Sequence, residues 1–133
     1  MFDMARIVTF KGKTAEELQQ LTIDDFSKLL KARPRRAIKR MSIGYKALIA
    51  RAEKAKKAGS AKPVRTHVRE AVILPSWLGM TFSVHNGKTF QDLPITMDLI
   101  GHRLGEFVYT TKHVQHSAPG IRATRGSKFL AVK

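Results

Sequence analysis

Between Lys31 and Arg69 the chain carries fourteen lysines and arginines and a single acid, Glu53. Such a segment cannot be enclosed, because each buried charge left without a partner costs several kcal/mol. It can fold only as elements that bury one apolar side and hold their charges outward, and those charges repel one another unless a polyanion covers them. The rest of the chain does not compensate. Met1 to Leu30 holds four basic and five acidic residues, Glu70 to Lys112 three and four, and His113 to Lys133 four basic residues and no acid. A near-neutral body is thus flanked by two cationic arms, with a formal net charge of +15.

A chain of 133 residues, 43% of them hydrophobic, can bury one modest core and hardly two. Aromatic residues make up 8% and Trp77 is the sole tryptophan, so that core should be small. The absence of cysteine removes disulfides, thiolate zinc sites and cysteine nucleophiles, and fits a reducing cytoplasm. Asp3 and Arg6 interrupt the apolar start, unlike a signal peptide, and no run approaches the roughly 20 apolar residues of a membrane-spanning helix. A soluble intracellular protein is expected.

The first arm reads as helices. Thr22 is a suitable N-cap, Asp24 and Asp25 fall in the first turn, and Phe26, Leu29 and Leu30 share a face. Pro34 disfavours helical geometry at Arg33 and suits the first turn of a new helix, which predicts a bend there and a short helix over Pro34–Met41. Tyr45, Leu48, Ile49 and Ala52 then recur at helical spacing, and Gly59, Ser60 and Pro63 close that basic amphipathic helix. Val68–Leu74, rich in β-branched residues, predicts a strand. Thr81–His85 and Lys88–Leu93 flank Asn86-Gly87, the dipeptide of a two-residue hairpin turn with positive φ at both positions. Thr96–Arg103 offers a short helix and Glu106–Thr111 a returning strand. The expected class is α+β: a small three-stranded sheet with short helices, preceded by a basic helical N-terminal extension and followed by an extended tail. The boundaries read 1–42 for the extension, 43–112 for the core and 113–133 for the basic tail.

Several motifs at this point match a known family. Asn86-Gly87-Lys88, Ile95, Ile100-Gly101, Leu104-Gly105-Glu106-Phe107 and Thr110 fall at the spacing of a ribosomal protein signature. The likeness extends upstream through Thr66-His67-Val68-Arg69 and Leu74-Pro75-Ser76-Trp77-Leu78-Gly79. The chain resembles the S-nineteen family of universal small-subunit ribosomal proteins, and its N-terminal arm with Pro119-Gly120-Ile121 to Lys128-Phe129 is similar to the archaeal and eukaryotic branch. Ser76-Trp77 departs from the Glu-Met of many relatives. The resemblance implies binding to rRNA helices in the head of the small subunit, beside the protein numbered thirteen and near the intersubunit bridge. It also implies a tail reaching toward tRNA at the decoding region. Composition and spacing alone reach only a cationic nucleic-acid binder with a small α+β core.

The expected RNA contacts begin with Arg33, Arg35, Arg36, Lys39 and Arg40, dense enough to neutralise several phosphates, with the guanidinium fork favouring bidentate contact. Lys46, Arg51, Lys54, Lys57, Lys62, Arg65, His67 and Arg69 continue the arm, although Lys54, Lys56 and Lys57 fit a solvated lysine-rich helix end equally well. Asn86, Gly87, Lys88 and Thr89 offer backbone donors and an ammonium group. Gly101 permits close backbone approach to RNA or to another chain segment, with His102 and Arg103 as adjacent donors. Lys112, His113, Arg122, Arg125 and Lys128 complete the set.

Sharper chemical signals fail. Gly87-Lys88-Thr89 imitates the end of a phosphate-binding loop, but Phe82 stands where its first glycine belongs and a hairpin replaces the required strand-loop-helix. His113 and His116 lack a third metal ligand, and Asp92, Asp98 and Glu106 are too scattered for paired acid–base chemistry. No enzyme, cofactor or metal is expected. A DNA-compacting protein would suit the charge, but no helix aims Asn, Gln and Arg at base edges. Membrane association of the basic amphipathic helix ranks last.

Overall fold

The computed structural model describes residues 6–114. Four helices run through its first half, α1 (Ala15–Gln20), α2 (Ile23–Leu29), α3 (Ala32–Lys39) and α4 (Ile43–Lys57), followed by the strands β1 (Val64–Thr66), β2 (Thr81–His85) and β3 (Phe90–Pro94). Single 3-10 turns at Pro75–Trp77, Met97–Leu99 and Leu104–Glu106 punctuate the second half. The α+β class read from the sequence is the one observed.

Local chemistry explains the helix ends. The Thr22 hydroxyl accepts from the Asp25 N–H at 3.2 Å and donates to the Asp25 carboxylate at 2.8 Å, which also takes a 2.9 Å hydrogen bond from Lys28. Lys28 and then Thr22 hold the Asp25 carboxyl below its ordinary range. Ser42 caps α4 through the Tyr45 N–H, and at its far end Gly59 and Ser60 donate to the carbonyls of Lys56 and Ala55, the paired 5→2 and 6→1 bonds of a Schellman close. Pro34 does lie in the first turn of α3, but that helix begins earlier than expected, at Ala32. The bend falls at Leu30 and Lys31, both extended, and Arg33 is helical, because the first turn of a helix needs no N–H from proline. Helix α1 was not anticipated, although Thr14-Ala15-Glu16-Glu17 carries its signal: the Glu17 carboxylate accepts from the Thr14 N–H at 3.0 Å.

The sheet has the order β1-β2-β3, with β1 parallel to β2 and β2 antiparallel to β3. The hairpin stands where the sequence placed it, with a longer loop. His85 pairs with Phe90, so Asn86 to Thr89 form a four-residue connection in which the Asn86 side-chain oxygen accepts from the Lys88 and Thr89 N–H groups at 2.9 and 2.8 Å. Gly87 has φ 99°, and no other residue of that loop has positive φ, so the two-residue turn is not formed and β3 starts two residues later than expected.

Val68–Leu74 is not a strand of the sheet. Ala71 to Leu74 are buried and pair with the loop that follows β3: Ile73 donates to the His102 carbonyl at 2.8 Å, Gly101 donates back to Ile73, and Leu104 donates to Ala71. The first paired segment is instead Val64–Thr66, which a Pro and flanking charges had disguised. Thr96–Arg103 forms a single 3-10 turn, not a helix, and Glu106–Thr111 is no strand. Its neighbours are held by one arginine: Arg69, half-buried, donates to the carbonyls of His85 (2.8 Å), Gly105 (3.1 Å) and Val108.

One core gathers all of these pieces. Leu18, Phe26, Leu30 and Ile38 from the first three helices meet Tyr45, Leu48 and Ala52 of α4 and Trp77, Phe82, Val84, Ile95, Ile100 and Leu104 beyond. Each such side chain contributes about 1.5–3 kcal/mol on burial. Helices α1, α2 and α3 are therefore packed into the same core as the elements that follow them. At the Ser76-Trp77 departure the indole fills that core, 4.7 Å from the Phe82 ring and edge-on to Tyr45. The Tyr45 hydroxyl donates to the Val72 carbonyl at 2.9 Å, and burial pushes its pKa well above the ordinary phenol value, so it remains a proton donor.

Candidate nucleic-acid interface

The amphipathic pattern of α3 and α4 decides where the charges go. With Ile38, Tyr45, Leu48 and Ala52 turned inward, Arg33, Arg36, Lys39, Arg40, Lys46, Arg51, Lys54 and Lys57 are all exposed. Between the second half of α4 and β1 lies an open cleft of about 720 Å³ whose walls carry Arg51, Lys54, Lys62 and Arg65 over Ala55, Pro63 and Val64. The Arg51 guanidinium donates to the Arg65 carbonyl at 3.1 Å, which fixes the two walls relative to each other. Lys56 donates to the Ser76 carbonyl and braces the helix against the core.

Two members of the expected set are half-buried and hydrogen-bonded to the protein's own backbone. Arg35 turns back onto the end of α2 and donates to the carbonyls of Ser27, Lys28 and Leu30 at 3.2, 3.3 and 2.9 Å. Arg69 is the three-carbonyl clamp described above. Their planar forks explain the choice of arginine, since one guanidinium reaches three acceptors that an ammonium point charge cannot span.

The hairpin loop does not offer the backbone donors expected of it. The N–H groups of Lys88 and Thr89 are bound by Asn86, and that of Gly87 by the His85 Nδ1 at 3.0 Å, leaving the exposed Lys88 ammonium as its outward group. Gly101 makes its close approach to another segment of this chain: a Cβ there would lie 2.9 Å from Leu30 Cδ2 and 3.3 Å from Phe10 Cζ, at φ +83°. Gly101→Ala is expected to cost about 2 kcal/mol of unfolding free energy in urea titration, from left-handed strain and the clash together, with no change in the salt dependence of binding. His102 is exposed and its Nδ1 lies 2.8 Å from the Glu106 carboxylate, while Arg103 is half-exposed. Lys112 and His113 lie exposed near the end of the described residues; Arg122, Arg125 and Lys128 lie outside them, as does His116.

On the sheet face opposite Phe82 and Val84, Arg65, Ser83 and Asp92 stand side by side, with Ser83 buried between its exposed neighbours and the pair His85 and Phe90 one alternation further along. His67 packs 4.4 Å from His85 and 5.2 Å from Phe90, and the Arg65 guanidinium sits 5.2 Å over the Phe90 ring. His85 and Phe90 were not singled out in the sequence; the available signal was an aromatic on an outward strand position beside a basic loop.

Among the described residues the only salt bridge between charged side chains is Lys28 with Asp25, and His102 is hydrogen-bonded to the Glu106 carboxylate. No described carboxylate therefore forms a salt bridge with any cation from Lys31 to Arg69. No group of three or more metal-binding side chains occurs among the described residues, and no described helix is long and apolar enough to cross a membrane.

The described body is a small α+β fold that carries a strip of exposed lysines and arginines beside its three-stranded sheet. The comparisons give the family. Residues 36–116 match ribosomal protein S19, and the chain is 43% identical over 126 residues to the protein called small ribosomal subunit protein uS19 in Metallosphaera sedula and, to the same extent, in Saccharolobus solfataricus. Each alignment covers 93% of this chain and 90% of the relative. The chain belongs to the ribosomal protein S19 family and is of its archaeal type. That membership carries a structural role in the ribosome, not an enzymatic one.

Proposed function

We propose that this protein is a structural constituent of the small ribosomal subunit that binds rRNA in the head region and supports translation near the decoding site and the intersubunit bridge. The observation that carries this reading is the strip of exposed Arg and Lys on α3, α4 and the cleft wall, which forms no salt bridge to a described carboxylate. Such a strip neutralises phosphates and releases their counterions, which makes affinity fall steeply with salt. The family resemblance supports the head location, a neighbour in the small-subunit protein numbered thirteen, and a tail over 113–133 directed toward tRNA. The near-neutral remainder of the body supplies the face for the protein neighbour. The working place is the cytoplasm, in the ribosome.

The test is sedimentation of tagged protein from gently lysed cells at low salt, with crosslinked RNA sequenced from the fractions that contain it. Cofractionation with small subunits, and crosslinks confined to the head region of their rRNA, is the expected result. Free protein, or protein spread over DNA or lipid, would overturn the reading.

A further inference from the structure

The parallel pairing of β1 with β2 places Val64, Thr66, Phe82 and Val84 on the core side, which turns Arg65, His85 and Phe90 to the other side of the sheet. His67, one alternation beyond Arg65, joins them. The two imidazoles lie 4.4 Å apart in a tilted stack with 34° between their planes, and Phe90 stands edge-on to both, at 73° and 75°. The His85 Nδ1 accepts from the Gly87 N–H, which fixes that ring against the hairpin loop and leaves its other nitrogen to carry the proton. Asp92, the acid on this face, is hydrogen-bonded to the Ser83 hydroxyl. His67 and Arg65 are exposed and Phe90 is 37% exposed, so the cluster presents ring surface to solvent instead of closing over itself.

Arg65 also lines the cationic cleft, so cleft and ring cluster form one continuous surface. A strand whose phosphates lie along Arg51, Lys54 and Lys62 would carry its bases toward His67 and Phe90. Base pairs of a duplex are already stacked and cannot settle on a protein ring, whereas an unpaired base gains a stacking partner there. We infer that His67, His85, Phe90 and Arg65 form a stacking platform for an unpaired base of the RNA, so that this face selects a single-stranded loop or bulge and not a duplex backbone.

This inference rests on the rRNA-binding reading, and one experiment separates the two. Binding of the full chain to transcribed small-subunit rRNA is measured across a salt series for the wild type, for His67→Ala, for His67→Ala/Phe90→Ala, for His67→Phe, and for Arg51→Gln/Lys54→Gln/Lys62→Gln, with zero-length ultraviolet crosslinks mapped by mass spectrometry. Loss of a stacked base lowers affinity about tenfold at every salt concentration, leaves the salt slope unchanged and removes the crosslinks at positions 65–67 and 90, while His67→Phe retains binding. The cleft variant instead makes the slope shallower. Affinity of His67→Ala and of the double variant within about twofold of wild type, with the cleft variant still shallower in slope, overturns the platform and leaves the rRNA reading intact. An unchanged slope in the cleft variant takes the cleft out of the interface and overturns the platform, whereas failure of the wild type to bind the rRNA overturns the rRNA reading. His67 lies outside the core, so His67→Ala keeps the test valid should the double variant unfold.

Discussion

Replacing Arg36, Lys39 and Arg40 of α3 together with Arg51, Lys54 and Lys62 of the cleft by glutamine is expected to lower affinity for small-subunit rRNA about a thousandfold at physiological salt. The logarithmic salt slope should become shallower by about five, since each of the six phosphate contacts contributes slightly less than one. All six side chains are exposed, and of the six only Arg51 hydrogen-bonds elsewhere in the described fold, so circular dichroism and the urea midpoint should stay near wild type. Filter binding over a salt series measures the effect, and a slope equal to wild type would remove these residues from the interface. Arg35 must be left out of the set. Its guanidinium closes α2, so Arg35→Ala should lower stability by about 1–2 kcal/mol while leaving the slope alone.

Arg69→Met should cost about 3 kcal/mol of unfolding free energy and lower the Tm by on the order of 10 °C. The carbonyls of His85, Gly105 and Val108 lose their common charged donor in a half-buried setting, and a thioether supplies no replacement. Arg69→Lys should recover little of the loss, because an ammonium on a single stem cannot serve three carbonyls from three segments at once. Urea unfolding followed by tryptophan fluorescence reads this directly, because Trp77 is buried in the core. A change under about 0.5 kcal/mol would mean that the clamp adds nothing beyond what surrounding packing already fixes.

The contrast between these two arginine groups marks how far the sequence could be read. Features set within four or five residues were legible: the Thr22 cap, the inward stripe of Tyr45, Leu48 and Ala52, the hairpin around Asn86-Gly87, and the outward charges that stripe implies. Features set by distant partners were not. Val68–Leu74 has the composition of a strand and is extended, yet its hydrogen bonds go to the 101–105 loop, a pairing no local pattern announces. Arg35 and Arg69 look like their neighbours in the basic arm and differ only in having carbonyls within reach. Gly101 was read as a point of close approach with its partner undecided, and the partner is Leu30. The Thr14–Glu17 capping box was within local reach and was passed over.

The junction of Gly101 with Leu30 and Phe10 has a consequence in time. The N-terminal helices leave the polymerising ribosome first, but the surfaces that cover Phe26 and Leu30 are completed by residues made roughly seventy positions later. At about 5–20 residues per second, the nascent chain waits on the order of ten seconds with those side chains uncovered. During that interval the next segment to emerge is the arm from Lys31 to Arg69, whose charges adhere to any nearby polyanion. A newborn molecule thus carries its uncovered apolar side chains and its cationic arm together until the 101–105 loop is made.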